Sequence, residues 1–193
     1  MFRELLLARC VGVSESQAVA LEGHYDLLCR WNKVLNLTRI ERVEDAVERH
    51  YCESLFLAAH LPETGSVVDI GSGAGFPGFV AAVARPQCSV TLIESHQRKA
   101  VFLREACRTI PNLRVRAVRA EAVNDLFDWL ISRAVSYGDL SDSVPRLAPN
   151  VALLSGAEEP PDSWPLAWEI EALPAGRQRF LRIGHLVSRE TPN

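Results

Sequence analysis

The stretch Val67-Val68-Asp69-Ile70-Gly71-Ser72-Gly73-Ala74-Gly75-Phe76-Pro77-Gly78 constrains this chain more than any other. A short apolar run ends there in four glycines within eight residues. Such a switch predicts a buried strand, a loop on which a ligand lies against bare backbone, and then a helix. Glycine has no Cβ, so it permits both the tight turn and the close approach. Pro77 suits the first helical position, where a missing N–H costs nothing. The first N–H groups of the helix are left for whatever is bound.

The rest of the chain must supply a core around that stretch, and 193 residues suffice for one domain with a modest appendage. No apolar run approaches the roughly 18 residues of a membrane span. The start, Met1 to Ala8, carries Arg3 and Glu4 among its leucines and reads as a short helix, not a signal peptide. The five cysteines (Cys10, Cys29, Cys52, Cys88, Cys107) are scattered, with no Cys-x-x-Cys pair. They read as buried reduced thiols, which points to the cytoplasm and away from a metal site. A net charge of −3 argues weakly against a nucleic-acid partner. Yet arginines cluster at Arg39, Arg42 and Arg49, at Arg98, Arg104 and Arg108, and at Arg114, Arg116 and Arg119. Arginine suits bidentate phosphate contacts and stacking on bases; by itself the pattern decides nothing.

Ser14-Glu15-Ser16-Gln17 fits a capping box. Ala18, Leu21, Tyr25, Leu28, Trp31 and Leu35 follow at helical spacing, and Asn36-Leu37-Thr38 ends that helix. A second helix is expected from Val43 to His60. Residues 1–62 therefore read as a helical cap, part of one compact unit with a domain over 63–193. From Ser66 strands and helices alternate. Strands are expected at Val67–Ile70, Ser89–Ile93, Leu113–Val118, Asp128–Ser132 and Val151–Leu154. Helices are expected at Pro77–Ala84, Gln97–Thr109 and Tyr137–Leu147, the second with Ala100, Val101, Leu103 and Cys107 toward a core. Such alternation implies an α/β fold with a mostly parallel, doubly wound sheet. Trp168–Leu173 and Phe180–Val187, joined through Pro174-Ala175-Gly176, read as an antiparallel hairpin. Ala157 to Pro165, with three prolines, reads as a mobile loop.

Ligands of such sheets bind beyond the carboxyl ends of the strands. Glu94, ending strand two, is placed to accept hydrogen bonds from both hydroxyls of a ribose. Ala120-Glu121, after strand three, would flank an adenine, and Arg133, after strand four, would project into the same cleft. Two ligand classes share this layout. Gly73 to Gly78 fits G-x-G-x-x-G, the dinucleotide fingerprint. Against a dehydrogenase, the chain after Leu154 is short for a substrate domain, and no tyrosine has a lysine four residues on. Asp69 to Gly75 resembles the Asp-x-Gly-x-Gly-x-Gly of class I methyltransferases, which bind S-adenosylmethionine (AdoMet), so a Rossmann-like fold of that class is expected. Ser132-Arg133-Ala134 stands where enzymes acting on base amines carry an Asn-Pro-Pro-Tyr-like motif. No cysteine follows a proline, as cytosine C5 enzymes require, and Lys33 and Lys99 lie on a cap helix and a surface helix, outside any cleft lysine pair. What remains is a nucleophile with a free lone pair, such as guanine N7, which needs positioning and no general base.

With those residues in view, the chain resembles the RsmG (GidB) family, which methylates guanine N7 in 16S ribosomal RNA of the small subunit. The resemblance is carried by Trp31-Asn32, Asn36-Leu37-Thr38, Arg49-His50 with Ser54, Asp69 to Gly78 and Ile131 to Ala134; Arg179 to Ile183 resembles the family's last strand. It implies AdoMet contacts at Gly71, Phe76, Ala120, Glu121 and Arg133, beside Asp69, Gly73 and Glu94. RNA contacts are expected at Asn32, Asn36, Arg49 and His50 of the cap and at Arg98 and Lys99. Trp31 reads as core. No catalytic residue in the strict sense and no metal are expected. The expected partner is 16S rRNA or the small subunit, met by a cytoplasmic monomer, with neither DNA nor a membrane involved. Glu53 stands where the family usually has Asp, and Ser155-Gly156 where it tends to carry Lys-Gly. A small-molecule methyltransferase and a non-catalytic AdoMet-binding assembly factor stay open as alternatives.

Overall fold

Val67 to Ile70 form the inner part of β1 (Gly65–Ile70) in a computed structural model that describes residues 1–174 and 178–187. Around it lie β2 (Cys88–Ile93), β3 (Leu113–Arg116), β4 (Trp129–Arg133), β5 (Asn150–Ser155), β6 (Leu166–Ala172) and β7 (Phe180–Leu186). The order across the sheet is β3-β2-β1-β4-β5-β7-β6. The first five run parallel, while β7 is antiparallel to both β5 and β6. Strand order therefore reverses between β1 and β4, and the carboxyl ends of those two strands flank the crevice where such folds bind ligands.

Successive residues of a strand serve opposite faces. Val67, Ile131, Ala152 and Leu181 join one apolar cluster with α5 (Gly78–Ala84), α6 (Gln97–Ala106) and the N-terminal helices. Val68, Leu130, Val151 and Leu153 join a second with α7 (Tyr137–Leu140) and Trp164. The N-terminal helices are α1 (Phe2–Arg9), α2 (Glu15–Leu35), α3 (Val43–Ala46) and α4 (Glu53–Ala59). The capping box at Ser14 is made reciprocally, and Asn36 closes α2 in the left-handed conformation at φ 49°. Between α3 and α4 the helix widens into a π-helical turn, Val47–Cys52. Such turns mark functional stretches of a helix, and here His50, Tyr51 and Glu53 all reach the sheet side, while Ser54 donates to the His50 carbonyl.

The expected helices and strands form, with differences that have local causes. Pro77 occupies the N-cap position, not the first helical one. On α6 it is Phe102 that enters the core, whereas Val101 is 48% exposed. The third helix of the domain stops at Leu140; the chain continues in turns, and Pro145 has no N–H with which to extend a helix. β3 ends at Arg116, two residues early. Cys10 and Cys52 are paired as a disulfide because α1 packs on the π-helical turn, so the cysteines are not all reduced thiols; Cys29 is exposed. Ala175 and Gly176 of the hairpin turn lie outside the described residues.

Candidate cofactor cradle and cap junction

The loop after β1 is held from beneath. The N–H groups of Gly71 and Ser72 both donate to the Ile93 carbonyl, at 3.0 and 3.1 Å. Gly71 has φ +72°, and a Cβ there would lie 2.6 Å from Val135 Cγ2. At Gly78 a Cβ would meet Leu92 at 2.3 Å and Asp69 Oδ2 at 2.6 Å, so that glycine lets α5 start directly on the sheet. Asp69 is fully buried, and its Oδ2 accepts from the Gly78 N–H at 3.0 Å. Burial pushes its carboxyl up to about 7. Asp69 thus shapes the loop from below, its Oδ1 buried with no hydrogen-bond partner among the described residues.

Glu94 is buried at the end of β2, accepting from the Gly73 N–H at 2.9 Å through Oε2 and from the His96 N–H at 2.7 Å through Oε1. Each oxygen keeps a further lone pair. Ala120 and Glu121 lie in a short 3₁₀ turn after β3, Glu121 exposed, with the Ala120 carbonyl bound by Arg146.

Behind the loop the cap closes a second set of contacts. Phe76 is buried, stacked on His50 at 4.6 Å and met edge-on by His24 and Tyr51 at 5.3 and 5.0 Å. His24 bonds the Ala74 carbonyl through Nε2 at 3.0 Å and the Tyr51 hydroxyl through Nδ1 at 2.8 Å. A carbonyl only accepts, so Nε2 carries the hydrogen and Nδ1 accepts from tyrosine. Burial pushes His24 down to about 4, leaving it neutral. His50 Nδ1 lies 2.9 Å from Arg133 Nη1, and its Nε2 2.8 Å from Thr38 Oγ1. Arginine can only donate, so His50 accepts at Nδ1 and donates at Nε2. Burial first, and then the Arg133 charge, pushes His50 down to about 3. Arg133 and Arg179 both pair with buried Glu53, at 3.5 and 2.7 Å. Burial raises the Glu53 carboxyl against the pull of the two guanidiniums, and lowers Arg133 to about 10.

The expected RNA-facing residues divide. His50 is interior to this junction. Asn32 ties α2 to the next loop, donating to the Thr38 carbonyl at 3.0 Å and accepting from its N–H at 2.8 Å, so its side chain is spent on structure. Asn36 and Arg49 are exposed, as is Arg98 at the start of α6, with Lys99 half-buried beside it. Asn32 and Asn36 border a concavity of about 730 Å³ shared with Lys33 and Arg39. Trp31 packs against the core as expected and donates to Glu105 at 3.1 Å. His24 and Tyr51 carry contacts that the sequence does not single out, and Arg179, which opens the stretch resembling the family's last strand, pairs with Glu53. The one signal was a histidine one position from the apolar stripe of α2.

Comparison with known proteins follows the same lines. The family model for rRNA small subunit methyltransferase G matches residues 17–145. Ribosomal RNA small subunit methyltransferase G of Xanthomonas campestris pv. campestris is 37% identical over 91% of this chain and 81% of its own length. The chain belongs to the rRNA small subunit methyltransferase G family. The family's protein in Halorhodospira halophila is 42% identical over 70% of this chain and 66% of its own length. Among solved structures, a SAM-dependent methyltransferase from Aquifex aeolicus superposes with TM-score 0.57 at 15% identity, over 74% of this chain and 93% of that one. A fibrillarin/Nop5p complex gives TM-score 0.57 at 13% identity, over 72% and 82%. At that identity the likeness concerns the fold alone. The family's cofactor, AdoMet, fits what is present: a loop turned by glycines of positive φ at 71, 73 and 75, with room over Gly73, and a strand-end carboxylate with lone pairs to spare.

Proposed function

We propose that this protein methylates N7 of a guanine in 16S ribosomal RNA, with AdoMet as methyl donor. The observation that carries the reading is that the groups nearest the cleft are already engaged by the protein. His50 has both ring nitrogens engaged and is neutral. Glu94 holds two backbone N–H groups, and Asp69 faces away beneath the loop. In this reading the spare lone pairs of Glu94 go to the ribose, and none of the three is left free to act as a base toward the substrate. Guanine N7 carries a free lone pair and loses no proton on methylation, so positioning alone serves it. The methyltransferase G relatives support the RNA substrate.

When bound, AdoMet supplies an electrophilic methyl group on its sulfonium. In this reading Gly71, Gly73 and Phe76 present the loop to it, with Asp69 fixing their backbone from below. Glu94 accepts from the ribose hydroxyls, and Ala120 and Glu121 border the adenine. Arg133 keeps a fixed positive charge at the strand ends because His50 and Glu53 hold it. Arg49, Asn36, Arg98 and Lys99 surround the cleft with groups able to meet phosphate or base edges, with Asn32 supporting Asn36 from α2. The acidic chain relies on local arginine and on the shape of a structured RNA. We place the reaction in the cytoplasm, on rRNA of the small subunit, and take the monomer as the acting unit, with residues 1–62 capping the domain of residues 63–193.

The test is methyl transfer from labelled AdoMet to small subunits lacking native methylation, followed by mapping of the modified base. Incorporation at N7 of one guanine is expected. Bound AdoMet with no incorporation would favour a non-catalytic role, and transfer to small molecules in place of rRNA would move the substrate class.

A further inference from the structure

Arg182 lies at the cleft end of β7 and is only 1% exposed. Its Nη1 donates to Ser155 Oγ and to the Gly156 carbonyl, and its guanidinium sits 5.0 Å over the Phe180 ring. The other edge of the fork, Nε with Nη2, is the edge that receives an oxyanion side-on, and it is half used. Nη2 meets Glu159 Oε1 at 3.3 Å, while Nε has no hydrogen-bond partner among the described residues. Glu159 is 69% exposed and belongs to the loop between Gly156 and Pro165, which holds three prolines.

A guanidinium shut off from water keeps its charge and requires an anion. One partly aligned carboxylate on an exposed side chain is a weak counterion. A phosphate would fill both positions of the free edge, the geometry for which arginine is suited. The place is also right. Arg182 pairs with Leu153, which pairs with Ser132, so its side chain lies on the opposite face of the sheet from Arg133 but reaches the same strand ends through Ser155 and Gly156. Two strand spacings, about 10 Å, separate the strand of Arg182 from that of Arg133 at this end of the sheet. Ser155 is uncharged and accepts from Arg182, so the positive charge at the end of β5 comes from Arg182 across the strand pair.

We propose that the Nε–Nη2 edge of Arg182 seats a backbone phosphate of the RNA substrate, and that Glu159 occupies this seat until RNA displaces it. The inference rests on the RNA reading given above.

Wild-type protein and the variants Arg182→Met, Arg182→Lys and Glu159→Gln are titrated with deproteinised small-subunit rRNA at several salt concentrations. Methyl incorporation is followed in parallel. Arg182→Met should bind about tenfold more weakly, with a salt slope shallower by about one, as loss of a single phosphate contact requires. Its kcat should hold while KM rises. Arg182→Lys should keep the slope and only part of the affinity, because a point charge replaces a fork. Glu159→Gln, exposed and so expected to fold, should bind about threefold tighter, since a competing carboxylate is gone. A folded Arg182→Met protein with wild-type slope, or a Glu159→Gln protein that binds more weakly, would overturn the proposal. If Arg182→Met does not fold, the other two variants decide. Thermal stabilisation by inorganic phosphate that depends on Arg182, with none from RNA, would assign the seat to free phosphate and overturn it too. Arg182-dependent binding of rRNA without methyl transfer would sink the reaction reading and leave the seat standing. A wild-type protein that binds no rRNA overturns both.

Discussion

In the loop after β1 the contacts are made by backbone and close neighbours: Asp69 reaches Gly78, nine positions on, and Glu94 reaches Gly73 across 21. At the cap junction His50 meets Arg133 side chain to side chain across 83 positions, and the His24 ring meets the Ala74 carbonyl across 50. The loop is a shape that glycine imposes; the junction is a set of pairings that exists only once the cap has docked. The first tolerates almost no added atoms, whereas the second tolerates no missing charge.

Three measurements bear on that contrast. The largest effect is expected at the loop. Gly71→Arg should abolish AdoMet binding by calorimetry and cost about 1–2 kcal/mol of stability for the left-handed backbone. Retained binding would mean that the cradle lies elsewhere. Next comes the junction. Glu53→Ala leaves Arg133 and Arg179 without their shared carboxylate, and a loss of about 3–5 kcal/mol is expected from the urea midpoint. A loss below about 1 kcal/mol, the value of an exposed pair, would show the junction to be solvated.

The smallest effect sets the two regions against each other through pH. His24 and His50 titrate near 4 and 3 when folded, against 6.5 ordinarily, so on unfolding they take up protons between about pH 4 and 6.5. Their contribution is full above pH 6.5 and is lost on acidification. Asp69 has the opposite sign: folded, it holds its proton up to about pH 7, against 3.8 ordinarily, so its contribution is lost as pH rises through that window. Asp69→Asn keeps an acceptor for the Gly78 N–H and removes the opposing slope. Stability should then fall more steeply between pH 6.5 and 4, by up to about 1.4 kcal/mol for each pH unit. An unchanged slope would show that Asp69 is ionised in the folded protein.

The same contrast explains what could be read from the residues alone. The succession of strands and helices, the hairpin, the capping box and the glycine loop are encoded locally, by period, by glycine and by cap chemistry. Val101 reads as core-facing yet Phe102 is the residue that enters, because adjacent apolar residues on one helix leave its rotation undetermined until α6 meets α2. Asn32 and His50 are expected at the RNA through the resemblance, and nothing local announces that they are engaged within the protein. Their partners, the backbone of Thr38 and the guanidinium of Arg133, become visible only in the folded chain. Arg182 was passed over for a related reason, since nothing local tells a buried arginine in a strand from an exposed one.

Phe76 belongs to both regions at once, seated in the loop and touched by rings from positions 24, 50 and 51. It follows that these four positions form one unit of inheritance. A change in the size or polarity of any ring leaves the other three mismatched, so substitutions there should accumulate together in descendants of this chain. A cap transplanted from a distant relative would have to bring its own version of residue 76 with it.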